Sequence, residues 1–247
     1  MKRPPVILAF GLTALIMSPA VAQNAVAPGV FEIVNVSRDS VPAGTPAAFY
    51  TAFPNAERNA AQREVGEDNY LFVPLAFIPL SDTRVALIST GANDCSGQSC
   101  TGLNAVHYFD HAAGSPGEPY TQRGEWLDVG AVGTLGNPAR HWGWSRSITG
   151  TPVLYTEAGG GWQGRHCSYA VLTELAESGP VEIARIRMAF SDATTEEAEA
   201  DISGLITAAD DRSLTVSYTG SSTFAETWRR GADGRYRLQG DSRLPAC

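Results

Sequence analysis

Apolar and polar residues alternate with a period of two along most of this chain, and no other feature limits its fold as much. The alternation is clearest between His141 and Leu175. There Val153, Tyr155 and Glu157 interleave with Leu154 and Thr156, and Tyr169, Val171 and Thr173 interleave with Ala170, Leu172 and Glu174. Successive side chains of a strand point to opposite faces, so these runs predict strands with two unlike faces rather than helices, whose apolar residues recur about every 3.6 positions. The connection AGGGWQGRHC, Ala158 to Cys167, is too long for a two-residue turn and too rich in glycine for a helix. It predicts a hairpin loop, ordered or mobile, in which Trp162 is hinged on Gly159–Gly161 and either plugs the end of the core or stacks on a ligand.

Thr83–Thr90, the loop CSGQSC and Leu103–Phe109 have the same design: a strand, a Gly- and Cys-bearing connection, and a returning strand with aromatics. The pair would form an internal repeat, although the offset from Thr83 to Thr151 exceeds the roughly 40 to 50 residues of a propeller blade. Further strands are predicted at Phe31–Val36, weakly around Gly124–Gly133, and at Val181–Phe190. In the last of these, Ala184, Ile186, Met188 and Phe190 face the core while Arg185 and Arg187 face away. A meander punctuated at Asp210–Asp211 and Gly231–Gly234 closes the chain.

Tyr70–Leu80 is the most hydrophobic segment after the leader, yet Pro74 and Pro79 each remove a ladder donor, so a broken or edge strand is expected. One helix is expected at Asn55–Glu64, capped by Asn55 and lacking an apolar stripe, hence on the surface. Together these elements predict a single all-β domain over residues 23–247. Its antiparallel sheets would form a sandwich or a partly closed barrel-like or propeller-like arrangement, with one short surface helix.

Residues 1–22 have the form of a secretory signal peptide: Lys2 and Arg3, an apolar run, then Ala20-Val21-Ala22 before Gln23. That run is shorter than the roughly 20 apolar residues a membrane helix needs, and nothing later approaches this length, so no membrane span is expected. The expected location is periplasmic or secreted. With 26 acidic against 18 basic residues the formal net charge is −8, and losing Lys2 and Arg3 makes it more negative. Such a chain repels nucleic acid and anionic membrane surfaces, and neither is an expected partner. Four cysteines in an exported chain predict two disulfides. Cys95 and Cys100 bracket a short polar loop and favour a local bridge, leaving Cys167 for Cys247; the other two connectivities stay open on sequence alone.

No complete catalytic or cofactor motif is present, and neither cofactor nor metal is expected. Ser145, Ser147, His141 and Asp128 supply the residue types of a hydrolytic triad without the strand, sharp elbow and helix that present a nucleophile. His107, Asp110 and His111 are the densest group of metal-ligand types, but residues four apart on a strand stand about 13 Å from one another. The acidic run Asp192–Asp201 lacks the order of a calcium loop and reads as a solvated face. Arg140, Trp142, Trp144 and Arg146 share one strand parity and predict a ladder of guanidinium groups on indoles. Such a ladder braces a sheet or forms a platform for a sugar ring or a protein.

If the chain binds a ligand, the residues expected to do so are Trp142, Trp144, Arg146, Trp162 and Gln163. The function expected is that of an exported binding or inhibitor module for a protein or glycan partner in the cell envelope. A hydrolase of an envelope polymer and a structural envelope component are the alternatives.

Overall fold

The computed structural model describes residues 32–33, 41–112, 119–194 and 200–247. The leader at 1–22, most of the strand expected at 31–36 and positions 195–199 of the acidic run lie outside the described residues. In chain order the elements are β1 (Glu32–Ile33), α1 (Thr45–Ala52), β2 (Ala61–Val65), β3 (Asp68–Ser81), β4 (Arg84–Ala92), β5 (Leu103–Asp110), β6 (Thr121–Trp126) and β7 (His141–Ser145). They continue with β8 (Val153–Trp162), β9 (Arg165–Ala176), β10 (Gly179–Asp192), β11 (Ala200–Ala209), β12 (Ser213–Gly220), β13 (Phe224–Arg230) and β14 (Tyr236–Leu238).

Two antiparallel sheets result, one of them curled into a half-barrel. One has five strands in the order β2-β3-β4-β5-β6; the other has nine, in the order β1-β7-β8-β9-β10-β11-β12-β13-β14. Apart from β1 beside β7, every pair of neighbours is consecutive in sequence, as frequent turns between alternating runs require. No helix among the described residues is long and apolar enough to cross a membrane.

The outer strands of the smaller sheet would lie four strand spacings, about 19 Å, apart if it were flat. Instead Arg63 of β2 grips Glu125 of β6 with two hydrogen bonds, at 2.5 and 2.7 Å, so the sheet curls. Under this clasp His107 of β5, fully buried, donates from Nε2 to the same carboxylate at 3.0 Å. Burial lowers the His107 pKa and outweighs Glu125, so the imidazole is held neutral. Phe49, Phe53 and Phe72 complete the apolar cluster around it, with Phe53 edge-on to the imidazole.

The helix is α1, eleven positions or so before the segment expected to form it. Pro46 suits a first helical turn, and Thr45, Ala48, Phe49 and Ala52 form a buried stripe at helical spacing. Asn55–Glu64 has good helix formers and no such stripe, so nothing holds it as a helix against the sheet. Its Arg58 and Asn59 take positive φ in a tight turn, and Ala61–Val65 becomes edge strand β2.

Tyr70–Leu80 lies in one continuous strand, β3, which is interior and edge in turn. β2 covers it only as far as Phe72; beyond that it pairs with β4 alone, with bulges at Pro74/Ala76 and Pro79/Ser81. Both prolines therefore sit where a missing donor breaks no second ladder. Bulges also refine β10. Its pairing with β9 slips between Glu182 and Ala184 and between Arg187 and Ala189, which buries Ile183 alongside Ala184, Ile186, Met188 and Phe190.

The two sheets meet through one apolar cluster. Leu75, Ile78, Ile88, Val106 and Tyr108 from the smaller sheet pack with Leu154 and Leu175 from the larger, flanked by partly buried Trp126, Trp142 and Trp144. The loops that leave this seam build the site described next.

Candidate functional site

β8 and β9 pair along their whole length, from Val153 opposite Glu174 to Trp162 opposite Arg165. The long hairpin loop expected between them does not form. The chain reverses through Gln163–Gly164, with φ of 49° and 84°. Two successive positive φ values define the hairpin turn whose twist matches the strands, and glycine adopts its second position without steric cost.

Gly159–Gly161 are thus strand residues, and contacts explain why two of them carry no side chain. A Cβ on Gly159 would lie 2.6 Å from the Cys167 carbonyl and 2.7 Å from His166 Cε1. On Gly160 it would lie 2.9 Å from Thr134 Cγ2 and 3.5 Å from Gln98 Oε1.

Those neighbours belong to loops from elsewhere in the chain. β7 accompanies β8 only from Ser145 opposite Val153 to His141 opposite Glu157. Beyond that point residues 131–140 take its place: the Arg140 amide donates to the Glu157 carbonyl at 2.7 Å, and the Thr134 hydroxyl to the Gly159 carbonyl at 3.3 Å. This segment is laced to the Cys95–Cys100 loop. Asn93 N donates to Gly136 O at 2.9 Å, Gly136 N to Cys100 O at 3.1 Å, and Gly102 N to Asn137 O at 2.7 Å.

A groove of about 620 Å³ lies over Ala158–Gly161, lined further by Gln98, Val132, Thr134, Gln163, Arg165, Cys167, Tyr169, Thr194 and Cys247. A second cavity of about 400 Å³ shares Thr134 and Ala158 with it and continues past Leu135, Asn137 and Pro138 to Arg140 and Trp142. The disulfides are Cys95–Cys100 and Cys167–Cys247, the pairing expected, and the described residues hold no free cysteine. Both frame the groove: the first closes the loop that presents Gln98, and the second is part of the wall.

The chain end is fixed there by more than the disulfide. Arg187 donates to Ser242 Oγ at 3.0 Å and to the Leu244 carbonyl at 2.7 Å. Buried Glu226 accepts from Ser242 Oγ and Arg243 N, each at 2.8 Å, and the Tyr169 hydroxyl contacts Cys247 Sγ at 3.3 Å. At the turn, Arg165 Nε donates to Asp192 at 2.8 Å. The hydroxyl and amide of Thr194 donate to the other carboxylate oxygen, and with Arg165 they hold the Asp192 carboxyl down at about 2.

The expected binding residues divide between places. Trp142, half-buried, donates Nε1–H to Asn104 Oδ1 at 3.1 Å and lines the second cavity; Gln163, exposed, lines the groove. Trp162 ends β8 opposite Arg165. Trp144 packs half-buried against the cluster between the sheets. Arg146 reaches the other end of the seam, donating to the Pro79 and Leu80 carbonyls, and lines a separate cavity of about 540 Å³ with Arg84, Asp110 and Glu177. Among the described residues the guanidinium groups over rings are those of Arg63, Arg230 and Arg243, and none lies over Trp142 or Trp144.

Gln98, Thr134, Arg165 and Tyr169 escaped the reading of the sequence. The shared parity of Arg165, Cys167 and Tyr169, which places them on one face of β9, is the signal that could have found two of them.

The other groups considered do not converge. Asp110 is held between Arg84 and Arg123, each at 2.7 Å, while His107 is buried on Glu125 and His111 contacts the Ala112 carbonyl. Among the described residues no group of three His, Cys, Asp or Glu is placed to hold a metal ion. Ser145 and Ser147 bond to one another at 2.6 Å, and His141 lies at the opposite end of β7. No family model matches the chain, and neither a curated protein nor a solved structure is similar to it.

Proposed function

We propose that this protein is a non-enzymatic binding module of the cell envelope whose ligand, a glycan chain, lies along β8 from Trp142 to Gln163. One observation carries the reading. Two cavities meet at Thr134 and Ala158, the larger floored by Gly159–Gly161, and neutral amides and hydroxyls (Gln98, Thr134, Asn137, Gln163) line them, with Tyr169 opposite Ala158 and Trp142 toward one end. Their volumes fall in the roughly 300 to 1,000 Å³ range of ligand sites, and amides beside aromatic rings suit the hydroxyls and apolar faces of sugars. An oxidising compartment fits two disulfides without a free cysteine among the described residues. Fixing the walls by disulfides reduces the ordering cost of binding.

Gly160→Val tests the reading. Its side chain would enter the groove against Thr134 and Gln98, both side chains that can shift, and valine suits a strand. The expected outcome on a glycan array is loss of retention by Gly160→Val, with one cooperative thermal transition kept at a Tm lowered by the displacement of Thr134. Unchanged retention would remove the groove from the reading, and capture of an envelope protein by the parent in place of any glycan would turn it toward a protein partner.

A further inference from the structure

We infer that the groove selects an acidic polysaccharide, its anionic groups received by Arg140 at one end and Arg165 at the other. The inference rests on the groove being the binding site and names the class of ligand it takes.

The chain carries 26 acidic residues against 18 basic ones, yet no Asp or Glu lines either cavity; the charged side chains that do are these two arginines, and the other charge is the terminal carboxylate of Cys247 in the wall of the larger one. Arg140 is exposed, and its guanidinium has no ion pair among the described residues; only its backbone amide is engaged, on Glu157. Arg165 is anchored through Nε to Asp192, whose carboxylate Thr194 also occupies, so the guanidinium is oriented while 57% of the side chain stays exposed. Asp192 itself does not line the groove.

Arg140 lies beside Glu157 on one side of β8 and Arg165 opposite Trp162 on the other, which separates their backbones by about 16 Å along the strand and about 10 Å across it, roughly 19 Å in all. Between them are neutral amides and hydroxyls. A complementary ligand is elongated, rich in hydroxyls and acidic at intervals. The net negative charge of the chain does not oppose this at physiological salt, because charges beyond a screening length of about 8 Å are largely masked and the local guanidinium groups decide. An acidic peptide fits less well. A peptide added along β8 needs a free strand edge, whereas β9 takes one edge and the Thr134 hydroxyl occupies the Gly159 carbonyl on the other.

The test uses the full chain on arrays of uronic-acid, sialylated and sulfated oligosaccharides beside their neutral parents, with acidic peptides on the same surface. Calorimetry follows on the best-retained acidic oligosaccharide and on its carboxyl-esterified or desulfated form. Each of Arg140→Gln and Arg165→Gln is expected to weaken the acidic form about three- to tenfold more than the neutral form, the range for loss of one exposed charge-assisted contact. Equal affinity for acidic and neutral forms, or arginine variants that bind the acid like the parent, overturns this inference. If Gly160→Val still abolishes that binding, the groove remains the site. Retention of acidic peptides alone overturns the ligand class, and no retained glycan at all removes the groove reading and this inference together.

Discussion

Hairpins β4–β5 and β8–β9 draw on the same ingredients, alternating strands around a segment with glycines and cysteine, and use them in opposite ways. In β4–β5 pairing stops at Gly91 opposite Leu103, and the chain leaves the sheet in a loop closed on itself by Cys95–Cys100. In β8–β9 pairing runs on through the glycines to a two-residue turn, and Cys167 reaches out of the hairpin to Cys247, 80 residues away. A glycine run is loop or strand according to what packs on it. Gly159 and Gly160 lie under His166, Thr134 and Gln98, and two of these come from distant loops. The first hairpin gives the site a flexible part made rigid; the second gives it a floor.

The largest expected effect comes from cutting the two disulfides separately. In the chain-entropy description, closing 80 residues stabilises by about 4.5 kcal/mol and closing 5 by about 2 kcal/mol. Replacing Cys167 and Cys247 with serine should therefore lower Tm by roughly 9 to 18 °C, and replacing Cys95 and Cys100 by roughly 4 to 8 °C, for a domain of this size. Calorimetry of the two double variants checks the ranking. Equal losses would mean that the Arg187 and Glu226 contacts, and not the disulfide, fix the chain end.

This contrast also marks what the sequence made legible. Most strands, the antiparallel order of hairpins and the core face of β10 follow from local alternation and turn residues, and the structure has them; of the strand expected around Gly124–Gly133 only the part up to Trp126 forms, and the cysteine pairing that spacing favoured, with two others open, is the one found. The helix was missed because propensity spoke for Asn55–Glu64 while tertiary burial spoke for Thr45–Ala52, whose stripe of Ala48, Phe49 and Ala52 has meaning only once the curled sheet is present. Trp142 could be nominated because bulky aromatics are conspicuous. Thr134 and Gln98 could not, since nothing in their own neighbourhoods says that two loops will be laced together over β8. The seam also divides what parity had joined, sending Trp142 to the cavity and Arg146 to the far end.

A smaller effect should separate the hairpins by pH. His107 of β5 is fully buried and its pKa is lowered from 6.5, burial being the main cause; His166 of β9 is only half-buried. The unfolded chain then binds the His107 proton more readily than the folded one. The stability due to its neutral form is present above 6.5 and is lost as pH falls below that value. Glu125, lowered from 4.5 chiefly by Arg63, adds a second loss as pH falls below 4.5 toward its folded value. Urea midpoints measured from pH 8 down to 4.5 should decline below 6.5 in the parent and in His166→Gln, and flatten in His107→Leu. A parent profile that His107→Leu leaves unaltered would place the acid sensitivity elsewhere.

The smallest effect addresses whether both hairpins reach the ligand. Gln98 is carried by the loop of β4–β5 and Gln163 by the turn of β8–β9, both are exposed, and both line the groove. Neither side chain fills the core, so Gln98→Ala and Gln163→Ala should leave Tm unchanged within about 0.5 kcal/mol of stability, the usual range for surface positions. In the complex proposed above each amide would replace water as partner to a ligand hydroxyl, and a net hydrogen bond of about 0.5 to 1.5 kcal/mol corresponds to roughly a two- to tenfold fall in affinity. Titration calorimetry of both variants with the best-retained oligosaccharide separates three cases. Losses in both place the ligand across the two hairpins. A loss in Gln163→Ala alone confines it to the sheet and leaves the Cys95–Cys100 loop a structural wall. Parent-like affinity in both would mean that the ligand contacts lie nearer Trp142, in the second cavity.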